Sequence, residues 1–185
     1  MKRGTLLLFI LLSAIYASPV LSAAGDKYIL PKFGIMSIDL KNADPLISFG
    51  VMLGFGLSVN FSFELEYNIG FSGGDYEETV LGDPANIKTG FYRVDTGAGY
   101  LVYRHPISQK SYFKTKLGLL YENVERTESG TLNPEITDVI SSNDTGVAGG
   151  LGIGWYVGER LTLDVEMTVI DKDIIFYSLG THYRF

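Results

Sequence analysis

Three doublets of like charge mark the sequence: Glu64 and Glu66 in FELEY, Lys114 and Lys116 in FKTKL, and Asp164 and Glu166 in LDVEM. Within each doublet the residues are two apart, the period at which strand side chains point to the same side. Arg93 and Asp95 repeat the spacing, and Lys32, His182 and Arg184 add further ionisable groups. Carboxylates that face ammonium groups can trade protons with a substrate, hold a cation, or neutralise one another as ion pairs. Hydrolysis by a serine needs a base within hydrogen-bond reach and a third group to orient it. Ser178 and His182 stand four residues apart, about 13 Å along a strand, and His105 falls beside Pro106 in an expected turn. The absence of cysteine excludes thiolate metal sites, a cysteine nucleophile, disulfides and a lipoprotein anchor. No segment has EF-hand ligand spacing. No catalytic, metal or cofactor-binding residue is expected, and the charges read as ion pairs.

The elements that must position these charges are alternating segments. Residues 47–61, ISFGVMLGFGLSVNF, are apolar at every odd position, against Ser48, Gly50, Met52, Gly54, Gly56, Ser58 and Asn60 at the even ones. The phase runs on to Phe71. That length exceeds the usual ten residues of a strand, so a tight turn is expected at 59–62. The same design marks 92–103, 111–121, 145–157, 161–169 and 174–185, and less cleanly 27–40. In 92–103 the reading groups Tyr92, Val94, Tyr100 and Val102 on the apolar face, against Arg93, Asp95, Gly97 and Gly99. Eight strands result, joined by turns at 41–46, 59–62, 104–111, 157–160 and 171–173. Two long, polar, acidic loops, 72–87 and 125–144, complete the connections.

Composition bounds the class. The chain has 185 residues, 46% of them hydrophobic, with 22 glycines and 6 prolines, which suits one folded domain rather than a disordered or linker-rich chain. A net charge of −6 disfavours nucleic acid, whose phosphates need a basic face. Residues 1–24 read as a secretory signal peptide: basic Lys2 and Arg3, an apolar stretch from Leu6 to Ala17, and small Ser22-Ala23-Ala24 at a cleavage site. Residues 25–185 are then the exported domain.

The non-apolar face decides which side of the sheet is inside. A soluble barrel would carry mixed charges there, yet in 146–154 that face offers only glycine and alanine. Small residues suit the narrow interior of an eight-stranded barrel. The opposite face is almost free of charge from residue 47 onward, as lipid demands, since a mid-membrane lysine or arginine costs roughly 2–4 kcal/mol. The expected fold is an all-β, eight-stranded antiparallel up-and-down transmembrane β-barrel. Tyr100, Trp155, Tyr183 and Phe185 suit an interfacial aromatic girdle.

At the C-terminus Ser178, Gly180, Tyr183 and Phe185 match a pattern of polar, any, Gly, two any, aromatic, any, aromatic. This resembles the assembly signal of outer-membrane barrels, and residues 146–185 look like the closing half of the small outer-membrane β-barrel family. That family includes the opacity-type porins and the OmpA-type transmembrane domain. The resemblance implies a bacterial outer-membrane location and recognition of the last strand by the barrel-assembly machinery. No peptidoglycan-binding domain follows Phe185, so a wall-anchoring role is not expected. With the non-apolar face of each strand inward, the lumen holds Glu64, Glu66, Asp95, Asp164 and Glu166 against Lys32, Arg93, Lys114, Lys116 and Arg184, with His182 nearby. The expected role is structural, with a salt-bridge-filled lumen, contact with lipid and lipopolysaccharide, and an extracellular ligand at loops 72–87 and 125–144. A monomer is expected. The alternative is a narrow gated ion channel, in which exchange of ion-pair partners opens a water path, as the resemblance implies for OmpA-type barrels. An enzyme acting on lipid A is disfavoured because the His-x-Ser pattern of the lipid-A deacylases is missing.

Overall fold

The computed structural model describes residues 24–38, 43–71, 74–79, 87–130, 133–170 and 174–185. The signal-peptide reading at residues 1–24 thus falls almost wholly outside the described residues. Nine strands are present among the described residues: β1 Lys27–Ile38, β2 Leu46–Gly56, β3 Phe61–Gly70, β4 Gly74–Thr79, β5 Ile87–Ser108, β6 Ser111–Gly130, β7 Asn133–Tyr156, β8 Leu161–Ile170 and β9 Ile174–Arg184. Neighbours in sequence pair antiparallel, β9 returns to β1, and β3 pairs with β5, so eight strands close a barrel. The short β4 prolongs the line of β3, pairing with the far end of β5 from Tyr92 to Ile87.

Closure carries a definite stagger. From Lys27 the partners run through Phe55, Phe63, Leu101, Leu117, Gly149, Val169 and Ile175 and return to β1 at Ser37. The chain comes back ten residues along its own first strand (37 less 27). Such a shear tilts the strands by about 35–45° and leaves an interior that side chains can fill. No strand edge is left open within the ring, so its strands pair with a neighbour on both sides, as hydrocarbon requires.

The period of two holds around the ring: even-numbered residues point inward and odd ones outward. Phe33, Ile35, Ile47, Phe49, Leu101, Leu117, Leu119, Leu151 and Val165 form an exposed apolar wall. At the short-turn end, Phe55, Phe61, Phe63, Trp155, Tyr183 and Phe185 ring the outside. Tyr100 does not belong to that girdle: it is completely buried in the lumen.

The parity of β5 is the reverse of the sequence reading. Its inward residues are Tyr92, Val94, Thr96, Ala98, Tyr100 and Val102, and its outward ones include Arg93, Asp95, Gly97 and Gly99. The pairing forces this. Glu64 lies opposite Tyr100 and Leu65 opposite Gly99, and directly opposed residues share a face. Apolar alternation pointed the wrong way because this stretch of the interior is itself apolar.

One connection is shifted by two residues and another is shorter than expected. The turn after β2 occupies 57–60, where Leu57 and Ser58 donate their N–H groups to the Phe61 carbonyl, and β5 continues to Ser108, leaving only 109–110 before β6. The segment 125–144 is not a loop. β6 and β7 stay in register from Ser111↔Trp155 up to Ser129↔Thr137, forming a hairpin that rises beyond the ring. Its composition hid it: the alternation of apolar and polar residues lapses there, while Thr127, Thr137, Val139 and Ile140 keep the β preference. The predicted loop 72–87 likewise contains β4; residues 72–73 and 80–86 lie outside the described residues.

Candidate functional site

The lumen is layered. Toward the short-turn end lies a polar chamber, the middle holds a charged network, and the opposite end is closed by apolar side chains. The charges come from five strands, each placing one or two long side chains on its inward positions: Lys32 on β1, Glu64 and Glu66 on β3, Arg104 on β5, Lys114 and Lys116 on β6, and Asp164 and Glu166 on β8. All eight are almost fully buried.

Ion pairs connect them in a continuous ladder. Arg104 meets Glu64 at 2.5 Å, and Lys114 bridges Glu64 at 3.0 Å and Glu166 at 2.7 Å. Lys116 bridges Glu166 at 2.6 Å and Glu66 at 2.8 Å, and Lys32 reaches Glu66 at 2.6 Å and Glu166 at 3.4 Å. Glu166 is the hub, with three lysines and the Thr168 hydroxyl, which donates to it at 3.0 Å. Asn68 donates its amide to Glu66 at 2.8 Å and to Thr96 at 2.9 Å. The ladder sets three acids against four bases among the described residues, and Asp164 just below it brings the eight groups to neutrality when all are charged. Buried charges survive only when paired and hydrogen-bonded. In this geometry every base of the ladder faces at least one carboxylate. Among the described residues no cluster of histidines and carboxylates has the arrangement of a metal site.

Below the ladder, Tyr28 donates to Glu64 at 2.7 Å while receiving Arg104 at 2.6 Å, and Tyr112 donates to Asp164 at 2.5 Å. His182 stacks on the Tyr28 ring at 3.9 Å, with Nδ1 3.9 Å from Asp164. The inward glycines are sockets for these long side chains. Gly54 lies under the Tyr28 ring, Gly154 under Tyr112, Gly50 under Asn68, and Gly150 under Lys116. A Cβ on Gly154 would fall inside the Tyr112 ring. Gly154→Val should therefore push Tyr112 away from Asp164 and destabilise the barrel by about 1–3 kcal/mol, measured as a lowered urea midpoint.

Above the ladder, Met36, Leu46, Tyr92, Val94, Leu120, Val124, Ala148, Ile170, Ile174 and Phe176 pack into one apolar cluster with Tyr100 and Val102. Lys32 sits over the Phe176 ring at 4.9 Å and Lys116 over Tyr100 at 4.1 Å, so cation–π contacts seal the boundary. The Tyr92 hydroxyl donates to the Asp44 carbonyl and ties the cluster to the segment entering β2.

Two residues assigned to the lumen from sequence stand on the outer wall, and a third lies at the lumen's rim. Arg93 and Asp95 pair with each other at 3.0 Å on the outside of β5, the Arg93 side chain 51% exposed. Arg184 pairs with Asp26 at 3.6 Å at the rim of the short-turn end. Arg104, Tyr28 and Tyr112 were missed. Arg104 lay in a stretch read as a turn, although its even number puts it in phase with Lys114, its register partner on β6. In β9, Ser178 and Gly180 face the lumen, whereas Tyr183 and Phe185 lie on the outer wall.

The family profile for the outer membrane protein beta-barrel domain matches residues 5–185 of the chain. No curated protein matches it significantly. Among solved structures, a major outer membrane protein from Thermus thermophilus is similar with a TM-score of 0.63 and 13% identity, over 88% of this chain and 100% of that one. The outer membrane protein OprG from Pseudomonas aeruginosa gives 0.60 and 12% identity, over 91% and 99%. The attachment invasion locus protein Ail of Yersinia pestis gives 0.57 and 15% identity, over 87% and 99%.

Proposed function

Because the chain belongs to the outer membrane protein beta-barrel domain family, and so to the bacterial outer membrane, we propose that it is a closed envelope barrel presenting a surface for extracellular contact. On this reading the short turns and the C-terminus lie in the periplasm, and the β6–β7 hairpin and β4 stand outside the cell. The observation that carries the proposal is the contrast between the two ends. The lumen is filled by an ion-pair ladder under an apolar cluster, while β6 and β7 extend far beyond the closed ring. Rigid scaffolds that project surface segments commonly use them for recognition. Ail, which is named for attachment and has been solved with a heparin analogue, offers a likeness of fold to this reading.

The apolar cluster argues against the channel alternative. Ions that reached the ladder would still have to cross a dry layer from Tyr92 to Phe176, and hydrophobic constrictions block conduction by dewetting. Purified protein in planar bilayers is expected to give no resolved conductance steps; regular steps would favour the channel. We propose no chemical step for the protein: His182 stacks on Tyr28 and lies four positions from Ser178 on β9. We further propose that residues 1–24 are a cleaved signal peptide, and that Ser178, Gly180, Tyr183 and Phe185 address the last strand to the barrel-assembly machinery. The barrel works as a monomer among lipid and lipopolysaccharide.

The contact reading is tested by trimming the hairpin. Glu125 and Ser141 face each other in the register, so an Asn-Gly turn replacing 126–140 closes it without disturbing the ring. Gram-negative cells displaying the intact protein should adhere to cultured epithelial cells or immobilised serum proteins, and the trimmed variant should lose most of that adhesion. Equal adhesion by both would refute the reading.

A further inference from the structure

An apolar groove of about 750 Å³ runs across the outer wall of the barrel. It starts between Phe113 on β6 and Trp155 on β7 at the short-turn end, passes Val165 and Leu179, and ends at Ile35 and Ile47. Its size lies within the roughly 300–1,000 Å³ of small-molecule sites. The outward side chains that line it are all apolar or aromatic. In a bilayer such a groove faces acyl chains, so the charge at its foot decides which lipid it seats.

That charge lies on the two turns that flank the foot of β7. Lys110 stands on the β5–β6 turn, where its carbonyl accepts the Tyr156 N–H at 2.8 Å. Arg160 closes the β7–β8 turn, and its carbonyl accepts the Arg184 N–H at 2.9 Å. Both side chains are exposed, and among the described residues neither has an ion-pair partner. Glu159 is the one acid on these two turns, which leaves them net positive. Ser108 and Ser111 flank Lys110 with their hydroxyls 2.8 Å apart. One hydroxyl donates to the other, and the second keeps its proton for a ligand oxygen. Ser111 stands opposite Trp155 in the register. The foot of the groove thus offers two bases and a hydroxyl at the level of the aromatic ring, where lipid headgroups lie.

We infer that this groove seats an anionic glycerophospholipid of the periplasmic leaflet. An acyl chain lies between Trp155 and Leu179, and the phosphate sits between Lys110 and Arg160. A zwitterionic headgroup brings its own ammonium toward the same two bases, so the anionic headgroup is the one selected. Each base near a membrane surface favours an anionic lipid by roughly fivefold, and Glu159 offsets part of this. The inference goes beyond the contact reading and takes from it only the placement of the short turns in the periplasm.

Trp155 is the sole tryptophan and forms part of the groove, so its quenching reports what occupies the site. The barrel is reconstituted in phosphatidylcholine vesicles in which a small share of the lipid is replaced by a brominated one, since bromine quenches indole on contact. The brominated lipid is phosphatidylglycerol, phosphatidylethanolamine or phosphatidylcholine in turn. Phosphatidylglycerol should be preferred over the other two by about tenfold. Lys110→Gln/Arg160→Gln should bring the preference below about twofold. Lys27→Gln removes an exposed base at the foot of β1 and should leave it at about tenfold. Trp155→Phe/Leu65→Trp moves the reporter to the outer wall of β3, where the preference should stay below about twofold. A native preference under about threefold would overturn the inference. So would an equal loss with Lys27→Gln, or the same preference at Leu65→Trp. Quenching that falls for all three lipids as the protein share rises would place a second copy of the chain in the groove and overturn it too.

Discussion

Replacing Glu166 by glutamine should lower the stability of the folded barrel by about 3–5 kcal/mol, the range for removing one partner from a buried ion pair. The size follows from the position of this carboxylate. Lys32, Lys114 and Lys116 all converge on it within 3.4 Å, and its loss leaves four buried bases facing Glu64, Glu66 and Asp164. Glutamine preserves the volume, so the penalty isolates charge from packing. Adding Lys116→Met restores neutrality, and Glu66 still keeps Lys32 and Asn68. The double variant should therefore be destabilised by clearly less than the sum of the two single changes. Trp155 is the sole tryptophan and sits on the outer wall, so its emission reports urea unfolding directly. Additive losses would mean that the ladder is a set of independent contacts rather than a coupled network.

The second large effect belongs to the outer wall. Leu117, 65% exposed near the middle of the membrane-spanning part of β6, should cost about 2–4 kcal/mol when changed to arginine. The same change at Ile140, exposed on the hairpin beyond the ring, should cost less than about 0.5 kcal/mol. Side chains of similar apolarity and exposure thus give opposite outcomes, because one meets hydrocarbon and the other water. Comparable losses at both sites would place the membrane boundary elsewhere.

Much of this architecture was legible from local pattern. In β2, β3, β8 and β9 the odd residues are apolar except Thr181, and most even ones are small, polar or charged, so parity and barrel class follow from strand periodicity. The charged doublets at 64/66, 114/116 and 164/166 fall on one face for the same reason. β5 was not legible in this way. Tyr92, Val94, Tyr100 and Val102 are apolar because they close the lumen, and alternation cannot tell an apolar plug from a lipid-facing wall. Only the cross-strand register, with Glu64 opposite Tyr100, decides between them. The same register brings Arg104 opposite Lys114, a long-range fact that no local window contains. The hairpin beyond the ring was hidden because apolar and polar residues do not alternate in it, although its backbone pairing is continuous up to Ser129↔Thr137.

Strand β5 therefore offers the sharpest test of the lumen. The chain lacks cysteine, so a spin label can be attached singly at Leu101, on the outer wall, or at Ala98, two places from Tyr100 and on its inward side. In lipid bilayers the Leu101 label should relax rapidly with dissolved oxygen and hardly with a water-soluble nickel complex. The Ala98 label should be immobilised and shielded from oxygen-rich hydrocarbon. Strong oxygen relaxation at Ala98 together with shielding at Leu101 would contradict the account.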